Sequence, residues 1–262
     1  MTVPGTILRD TIIWRGWKVW QRNRDAFVRG WKVEVAGIAF EPFVVLVAVG
    51  FGLGAYVEDF DGLTYPEFVA PGLLASYAMW HATFDSTFGA YLRMETHHIY
   101  EAVLFTPMEP EDIVFGEVIW AASRSILTSM AVLVAAVVLG LVDSPLAILA
   151  IPAAFLTGVA FGATAMILTA TVTTIGAINN YFTMVLTPMF FFSGVFYPLD
   201  RLPEGLQQFA WAIPLTQATA LIRGLTTGHL EWGMVLWTLG LVAYSLIALR
   251  IATFFMRRRL VK

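Results

Sequence analysis

The sequence of 262 residues contains no cysteine, which excludes disulfides and thiolate metal sites. Charged residues are also scarce, at 13% of the chain, whereas 58% of the residues are hydrophobic and the mean hydropathy is +0.72. Ordinary soluble domains are less apolar and about twice as rich in charge. The composition therefore predicts an integral membrane protein. The net charge of −3, with the basic residues gathered near the chain ends, gives no indication of nucleic-acid binding.

Motifs for nucleotide binding and catalysis are absent as well. No G-x-x-x-x-G-K-[ST] occurs, so the chain cannot hold nucleotide phosphates in a P-loop. The glycines of "GFGLG" (50–54) lie inside an apolar segment, where small residues let helices approach closely. The histidines of "HHIYE" (97–101) lack the H-E-x-x-H spacing, and no Ser-His-Asp arrangement is supported by spacing. We therefore expect no catalytic site, no metal and no cofactor on this chain.

Long apolar runs dominate what is present. A bilayer core requires about 20 apolar residues per helix. Six stretches meet this length, at 36–57, 67–92, 115–142, 145–171, 178–198 and 233–256. Residues 144–199 carry no charge and are too long for one span, so we predict a reversal at "TVTTIGAINN" (171–180). The first residues lack an uninterrupted apolar core, so we expect no cleavable signal peptide. The predicted fold is an all-α integral membrane protein with six transmembrane helices, forming one domain over residues 1–262.

The distribution of basic residues predicts the orientation. Eleven of the 16 Lys and Arg residues precede the first span or follow the last. An even number of spans places both termini on one side, and the positive-inside rule makes that side cytosolic. The acidic loop "EDFDGLTYPE" (58–67) is then external, and residues 93–112 form a cytosolic loop.

The N-terminal segment, residues 7–35, has the pattern of an amphipathic helix. One face carries Ile13, Trp17, Trp20, Phe27 and Trp31. The opposite face carries basic residues, which we expect to face anionic lipid or a partner: Arg15, Lys18, Arg22 and Arg29. Tryptophan at headgroup level is typical of a helix that lies on the inner leaflet, in contact with membrane lipids. The pattern leaves open whether this interfacial helix is only an anchor or also has a gating role.

Residues 199–231, before the last span, contain two short amphipathic pieces. Pro203 and Pro214 head the two pieces, and proline is favoured in the first turn of a helix. Both pieces are too short and too polar to cross the membrane. We predict an external re-entrant helical hairpin.

Two ionisable residues of the second span, His81 and Asp85, are four apart and share one helix face. They are candidates for lining a path for protons or substrate, and a proton-coupled secondary transporter would depend on them. The favoured alternative is that they neutralise buried charge by pairing with each other or with Glu117 or Arg124 of the third span.

Aromatic residues fill the fifth span, which Pro188 interrupts. Tyr181, Phe191 and Phe192 are further candidates for lining a translocation path, because aromatic rings stack on sugars and slide past lipid. A helix of this kind more commonly faces lipid or neighbouring helices.

Three segments, taken with the order of the predicted helices, carry a family resemblance. They are "EPFVVLVAVGFGLG" (41–54), "YEAVLFTPMEPEDIVFGEVIWAA" (100–122) and "FFSGVFYPLDRLPEGLQQFAWAIPLTQATALIRGL" (191–225). Over residues 9–257 the sequence resembles a type-2 ABC transporter permease, most closely the NodJ-like branch of nodulation-factor export permeases. It is also similar to O-antigen, teichoic-acid and daunorubicin-type drug export permeases.

The resemblance implies a coupling helix in the cytosolic loop between the second and third spans, docked on a separate ATP-binding subunit. The corresponding residues here are about 94–106, ended by Pro107. The contact candidates are Tyr100, Glu101, Leu104 and Phe105.

It further implies a bacterial inner-membrane complex of two permease copies and two ATPase subunits, with ATP and Mg bound by the ATPases. The hypothesis for the substrate is an amphipathic lipid-linked saccharide or lipo-oligosaccharide, and the alternative is a hydrophobic drug.

Overall fold

The computed structural model describes residues 4–57, 59–60 and 62–261, and within them helices are the dominant structure. The side chains of residues 4–13, 33, 36 and 39 lie outside the description. The α-helices are α1 (Pro4–Val45), α2 (Tyr65–Phe84), α3 (Ile99–Leu104), α4 (Pro110–Val138), α5 (Ala150–Thr171), α6 (Ile175–Tyr181), α7 (Thr187–Phe192), α8 (Glu204–Ala212), α9 (Pro214–Thr227) and α10 (Gly233–Leu260).

Wider π-helical turns extend or join several of these helices. Such turns follow α1 at Leu46–Leu53, follow α2 at Asp85–Gly89 and again at Leu92–Thr96, and join α6 to α7 at Phe182–Leu186. Each π turn adds a residue relative to the α-helical repeat, so it changes which side chains share a face.

The N-terminal segment and the first apolar stretch form one continuous helix, α1, where the sequence suggested an interfacial helix followed by a separate span. Close packing on α4 holds its N-terminal half. A Cβ atom added to Gly116 would clash with the Gly16 carbonyl oxygen and lie 2.5 Å from the Val19 Cβ. The indole Nε1 of Trp20 donates to Ser123 Oγ at 3.0 Å. This segment of α1 is therefore fastened along α4.

Helix α2 lies at the centre of the bundle, in contact with α4, α5 and α9. Most of its side chains are buried by protein. Its first turn is closed by Glu67, whose Oε2 accepts the Thr64 backbone N–H at 2.7 Å. Gly72 allows the backbone of Val195 to approach so closely that an added Cβ would lie 2.9 Å from the Val195 Cα.

Four helices in the described part are long and apolar enough to cross a membrane. They cover Pro110–Val138, Pro145–Thr171, Ile175–Phe192 and Gly233–Leu260. The apolar helical segment Phe40–Tyr56, which comprises the last residues of α1 and the turns that follow it, is shorter. The all-helical class of the fold is confirmed over the described residues, and the count of six spans stays a prediction.

Chain reversals fall where the sequence placed them. Helix α5 ends at Thr171 and α6 begins at Ile175, with the Thr174 hydroxyl accepting the Ala177 N–H at 3.4 Å, so the reversal predicted within 171–180 is confirmed. Helices α8 and α9 begin directly after Pro203 and at Pro214. The re-entrant path of this hairpin stays a prediction.

The last helix, α10, runs from the α8–α9 end of the bundle to the α3 end. At the latter end Arg259 Nη2 lies 2.8 Å from Glu95 Oε1, and Arg257 Nη1 lies 3.2 Å from Glu111 Oε1. The structure thus has two distinct ends, the α3 end and the α8–α9 end.

We predict that Gly116→Ala destabilises the protein because the added methyl group forces α1 away from α4, at a cost of about 1–3 kcal/mol. Gly37→Ala is the matched control, since a Cβ at this α1 position meets nothing within 4 Å. The measurement is thermal unfolding of the purified protein in detergent. An equal midpoint for the two variants would contradict the close α1–α4 packing.

Candidate functional site

A fully buried carboxylate, that of Glu117 on α4, joins three parts of the bundle at the α3 end. Its Oε1 accepts from Arg22 Nη2 at 2.8 Å and from Arg93 Nε at 3.1 Å. Its Oε2 accepts from Asn23 Nδ2 at 2.9 Å and from Arg93 Nη2 at 2.7 Å. Since Arg22 and Asn23 belong to α1 and Arg93 to the π-helical extension of α2, the Glu117 cluster ties α1, α2 and α4 together.

Helix α3 is anchored beside this cluster through one side chain. Tyr100 is fully buried among apolar residues that include Met94, Ile113 and Met256. Burial, with a contribution from the Glu117 carboxylate, raises the pKa of the Tyr100 phenol, so it is neutral at physiological pH. A neutral phenol can remain in this apolar setting without the cost of burying a charge.

The opposite face of α3 is open. Phe105, at its C-terminal end, is 93% exposed, and Glu101 is exposed on the first turn. Leu104 is partly buried against the cluster around Tyr100. His98, which precedes the helix in a left-handed conformation with φ of 51°, places its Nδ1 3.4 Å from Glu101 Oε2. The helix therefore presents one anchored face and one apolar, acidic face without a partner in the described part of the chain.

A second ion pair lies deeper in the bundle. Asp85 Oδ2 is 3.2 Å from Arg124 Nε, without the alignment of a hydrogen bond. Arg124 also pairs with Glu34 of α1, and its guanidinium lies 4.9 Å from the ring centroid of Phe27. Asp85 thus has one of the partners that the sequence offered for neutralising its charge.

A cavity of about 570 Å³ opens between α1, α2, α4 and the α6–α7 segment. Its wall consists of Glu41, Val45, Leu73, Ser76, Tyr77, Trp80, His81, Phe84, Arg124, Phe182 and Phe190. Polar groups meet on one side, where the Tyr77 hydroxyl donates to Glu41 Oε1 at 3.5 Å. Aromatic rings form the other side, with Trp80 and Phe182 5.4 Å apart. We call this the amphipathic cavity.

Of the five residues predicted to line a path, His81 lines the amphipathic cavity and the other four lie elsewhere. Asp85 lies behind the wall, paired with Arg124. Tyr181 and Phe192 pack against the core, and Phe191 is half exposed beside Phe196. The lining aromatics of this segment are instead Phe182 and Phe190. The π turn at Phe182–Leu186 adds one residue to the helical repeat, so it changes which side chains after it share a face with those before it. A regular repeat of 3.6 residues per turn does not predict this change.

Some tryptophans of the predicted interfacial helix pack against other side chains, and others are exposed. Trp17 stacks on Trp20 with ring centroids 4.1 Å apart, and Trp20 contacts α4. Trp31 is about half exposed. Arg22, expected to face lipid or a partner, turns inward to Glu117. Ile13 lies outside the described side chains.

Comparison with known proteins identifies the family. The sequence profile of the family described as ABC-2 type transporter matches residues 12–226. The chain belongs to the ABC-2 type transporter family. Nodulation protein J of Rhizobium leguminosarum bv. viciae is 34% identical over 93% of this chain and 94% of its own length. Nodulation protein J of Sinorhizobium fredii (strain NBRC 101917 / NGR234) is 34% identical, with 94% of each chain covered. The inner membrane transport permease YadH of Escherichia coli (strain K12) is 24% identical over 81% of each chain.

Membership in this family makes the chain a multi-pass membrane permease of an ABC transporter and implies an ABC ATP-binding partner. The Glu117 cluster of this ABC-2 permease was not identified as a unit from the sequence. Its only signal is the presence of Arg93 and Glu117 next to apolar segments, because the partners on α1 are more than 90 positions away.

For this ABC-2 permease we predict that Glu117→Ala lowers stability strongly, because it leaves Arg22 and Arg93 without their shared carboxylate. Removing one partner of a buried ion pair costs about 3–5 kcal/mol. Glu95→Ala is the control, since the Glu95 side chain also pairs with an arginine but is 43% exposed, and a solvent-accessible pair contributes about 1 kcal/mol or less. Thermal unfolding in detergent compares the two variants, and similar midpoints would refute the structural role of the cluster.

Proposed function

We propose that the chain is the membrane subunit of an ATP-driven exporter, that it works as a homodimer with two ATPase subunits, and that α3 is its coupling helix. The observation that carries the proposal is the two-faced character of α3, with Tyr100 buried in the bundle and Phe105 exposed. A motor outside the membrane can move membrane helices only through a stiff element that is attached to them.

The Glu117 cluster supplies that attachment. Because α3 is packed beside Arg93 and Glu117, a displacement of α3 acts on the carboxylate that also holds Arg22. The force then reaches α1 and α4 together. In this arrangement Tyr100 is the anchor, and Glu101 and Phe105, with the exposed part of Leu104, are the surface offered to the ATPase. ATP and Mg²⁺ bind to the partner subunit.

The proposed topology has six spans in the bacterial inner membrane with both termini in the cytosol. Arg257, Arg258 and Arg259 at the end of α10 lie on the α3 side, in accordance with the positive-inside rule. Helix α2 is surrounded by protein, so it needs less hydropathy than a lipid-facing span. Residues 7–35 lie at the inner leaflet, residues 93–112 form the coupling loop, and residues 199–231 form the external re-entrant hairpin.

We propose an amphipathic substrate, of the class of lipid-linked saccharides or lipo-oligosaccharides. The amphipathic cavity supports this class, because one wall offers Glu41, Tyr77 and His81 while the other offers aromatic rings. Relatives named Nodulation protein J are consistent with it. A hydrophobic drug would contact the aromatic wall and make no hydrogen bonds with the polar groups, which lowers its affinity relative to that of an amphipathic ligand.

The coupling proposal predicts that the double variant Glu101→Lys/Phe105→Ala loses the ATPase subunit during co-purification in mild detergent, since it changes both the charge and the apolar contact of the exposed α3 face. Tyr56→Ala is the control, because Tyr56 is 90% exposed near the other end of the bundle. Mass spectrometry of the purified complexes gives the ratio of the two subunits. Full retention of the ATPase by the double variant would exclude α3 as the coupling helix.

The energy source separates this proposal from a proton-coupled transporter using His81 and Asp85. Asp85 is paired with Arg124, so it is not a free proton acceptor in this structure. We predict that transport into inverted vesicles containing the permease and its ATPase requires ATP and continues after a protonophore collapses the proton gradient. Transport that follows the gradient without ATP would instead establish the proton-coupled mechanism.

A further inference from the structure

A second cavity, also of about 570 Å³, lies at the bundle end opposite α3. It is enclosed by the loop around Phe60, the segment that follows α7, the α8–α9 hairpin and the start of α10. We call it the hairpin pocket. Its wall differs from that of the amphipathic cavity, because it combines an arginine, hydroxyl and amide groups with a pair of tryptophans.

Arg223 of α9 is fixed in this pocket by backbone carbonyls. Its Nε and Nη2 donate to the Phe68 carbonyl at 3.3 and 3.2 Å, and Nη2 also donates to the Gly194 carbonyl at 2.8 Å. The guanidinium carbon lies 3.8 Å from the centroid of the Phe68 ring. These contacts hold the group rigidly and leave Nη1 without a hydrogen-bond partner among the described residues.

The Thr219 hydroxyl is a second polar group of α9 that lines the same pocket. Thr219 precedes Arg223 by four residues, so both lie on one face of the helix. Its hydroxyl is buried and has no hydrogen-bond partner within the described chain. Thr216, by contrast, donates to the Ala210 carbonyl at 2.6 Å. Buried hydroxyl groups are normally satisfied, so the Thr219 hydroxyl has hydrogen-bonding capacity that no described residue uses.

Two indole rings supply a flat apolar surface. Trp211 of α8 and Trp237 of α10 are stacked, with centroids 5.6 Å apart and planes inclined by 20°. Gln207 donates from Nε2 to the Leu199 carbonyl at 3.1 Å, which leaves its side-chain oxygen as an acceptor. The pocket therefore presents a flat aromatic wall together with both donors and acceptors.

The charge of the pocket favours a neutral ligand. Asp200 and Glu231 also belong to the wall and are exposed, so the wall carries two carboxylates as well as the guanidinium of Arg223. A phosphate or a lipid headgroup of that charge would be repelled by the carboxylates. A neutral sugar suits every feature, because its hydroxyls both donate and accept, and its C–H face packs on an indole ring.

We infer that the hairpin pocket is a saccharide-binding subsite, in which a pyranose ring packs on the Trp211–Trp237 pair and its hydroxyls bind Arg223 Nη1 and the Thr219 hydroxyl. The inference rests on the proposed function and deepens it, since it assigns the sugar part of an exported glycolipid to the external end of the permease.

The test uses the full-length permease in nanodiscs of zwitterionic lipid, prepared without alkyl glycoside detergents, whose sugar heads would compete. Saturation-transfer NMR is recorded with neutral trisaccharides of glucose, galactose, mannose or N-acetylglucosamine. At least one trisaccharide is expected to receive saturation on its ring protons. Thr219→Val, which preserves shape but removes the hydroxyl, is expected to weaken that binding about five-fold. Trp237→Ala is expected to abolish it.

Trp232→Ala is the matched control, because Trp232 is 92% exposed at the same end and does not line the pocket. The inference is overturned if no trisaccharide receives saturation, if both pocket variants bind like the control, or if inorganic phosphate displaces the sugar. Co-purification of the ATPase is measured on the same preparations. A permease that retains its ATPase but binds no sugar refutes the subsite alone, whereas loss of the ATPase from the unmodified protein refutes the proposed function.

Discussion

The Glu117 carboxylate has no access to water, and the architecture at the α3 end follows from that constraint. A buried charge must find its partners within the protein, and here they come from α1 and the extension of α2. The requirement fastens the N-terminal half of α1 along α4. It also brings Arg93 beside Tyr100 of α3. The Glu117 cluster thereby links α1, α2 and α4 within an otherwise apolar bundle.

Much of the fold was predictable because local chemistry determines it. The reversal near Thr174 and the starts of α4, α8 and α9 depend on caps and prolines that act over a few residues. The end of α3 at Leu104 likewise follows from the nearby Pro107, which cannot continue a helix. Such features are visible in a single sequence because the residues that cause them are neighbours.

The remaining features depend on contacts between distant residues. Arg22 pairs with Glu117 instead of facing lipid, because a buried carboxylate requires a partner. The amphipathic pattern of α1 does not indicate this pairing. The aromatic residues that line the amphipathic cavity were not identified from the sequence, for a different reason. The π turn before Pro188 advances the helix by one residue, which brings Phe182 and Phe190 to the cavity and turns Phe191 outward. A fixed helical period cannot anticipate an insertion of this kind.

The arginines at the two ends of the bundle have different partners, which affects the function that each end can serve. Arg22 and Arg93 share a buried carboxylate, which accepts hydrogen bonds from Arg22 Nη2 and from Arg93 Nε and Nη2. Arg223 is held by neutral carbonyls and an aromatic ring, which position the guanidinium without neutralising it. An arginine that is held by backbone carbonyls can keep an N–H donor available for reversible ligand binding, as Arg223 Nη1 is here. In the exporter proposed above, the first arrangement would suit the end that contacts the ATPase, and the second would suit an end that binds and releases a ligand.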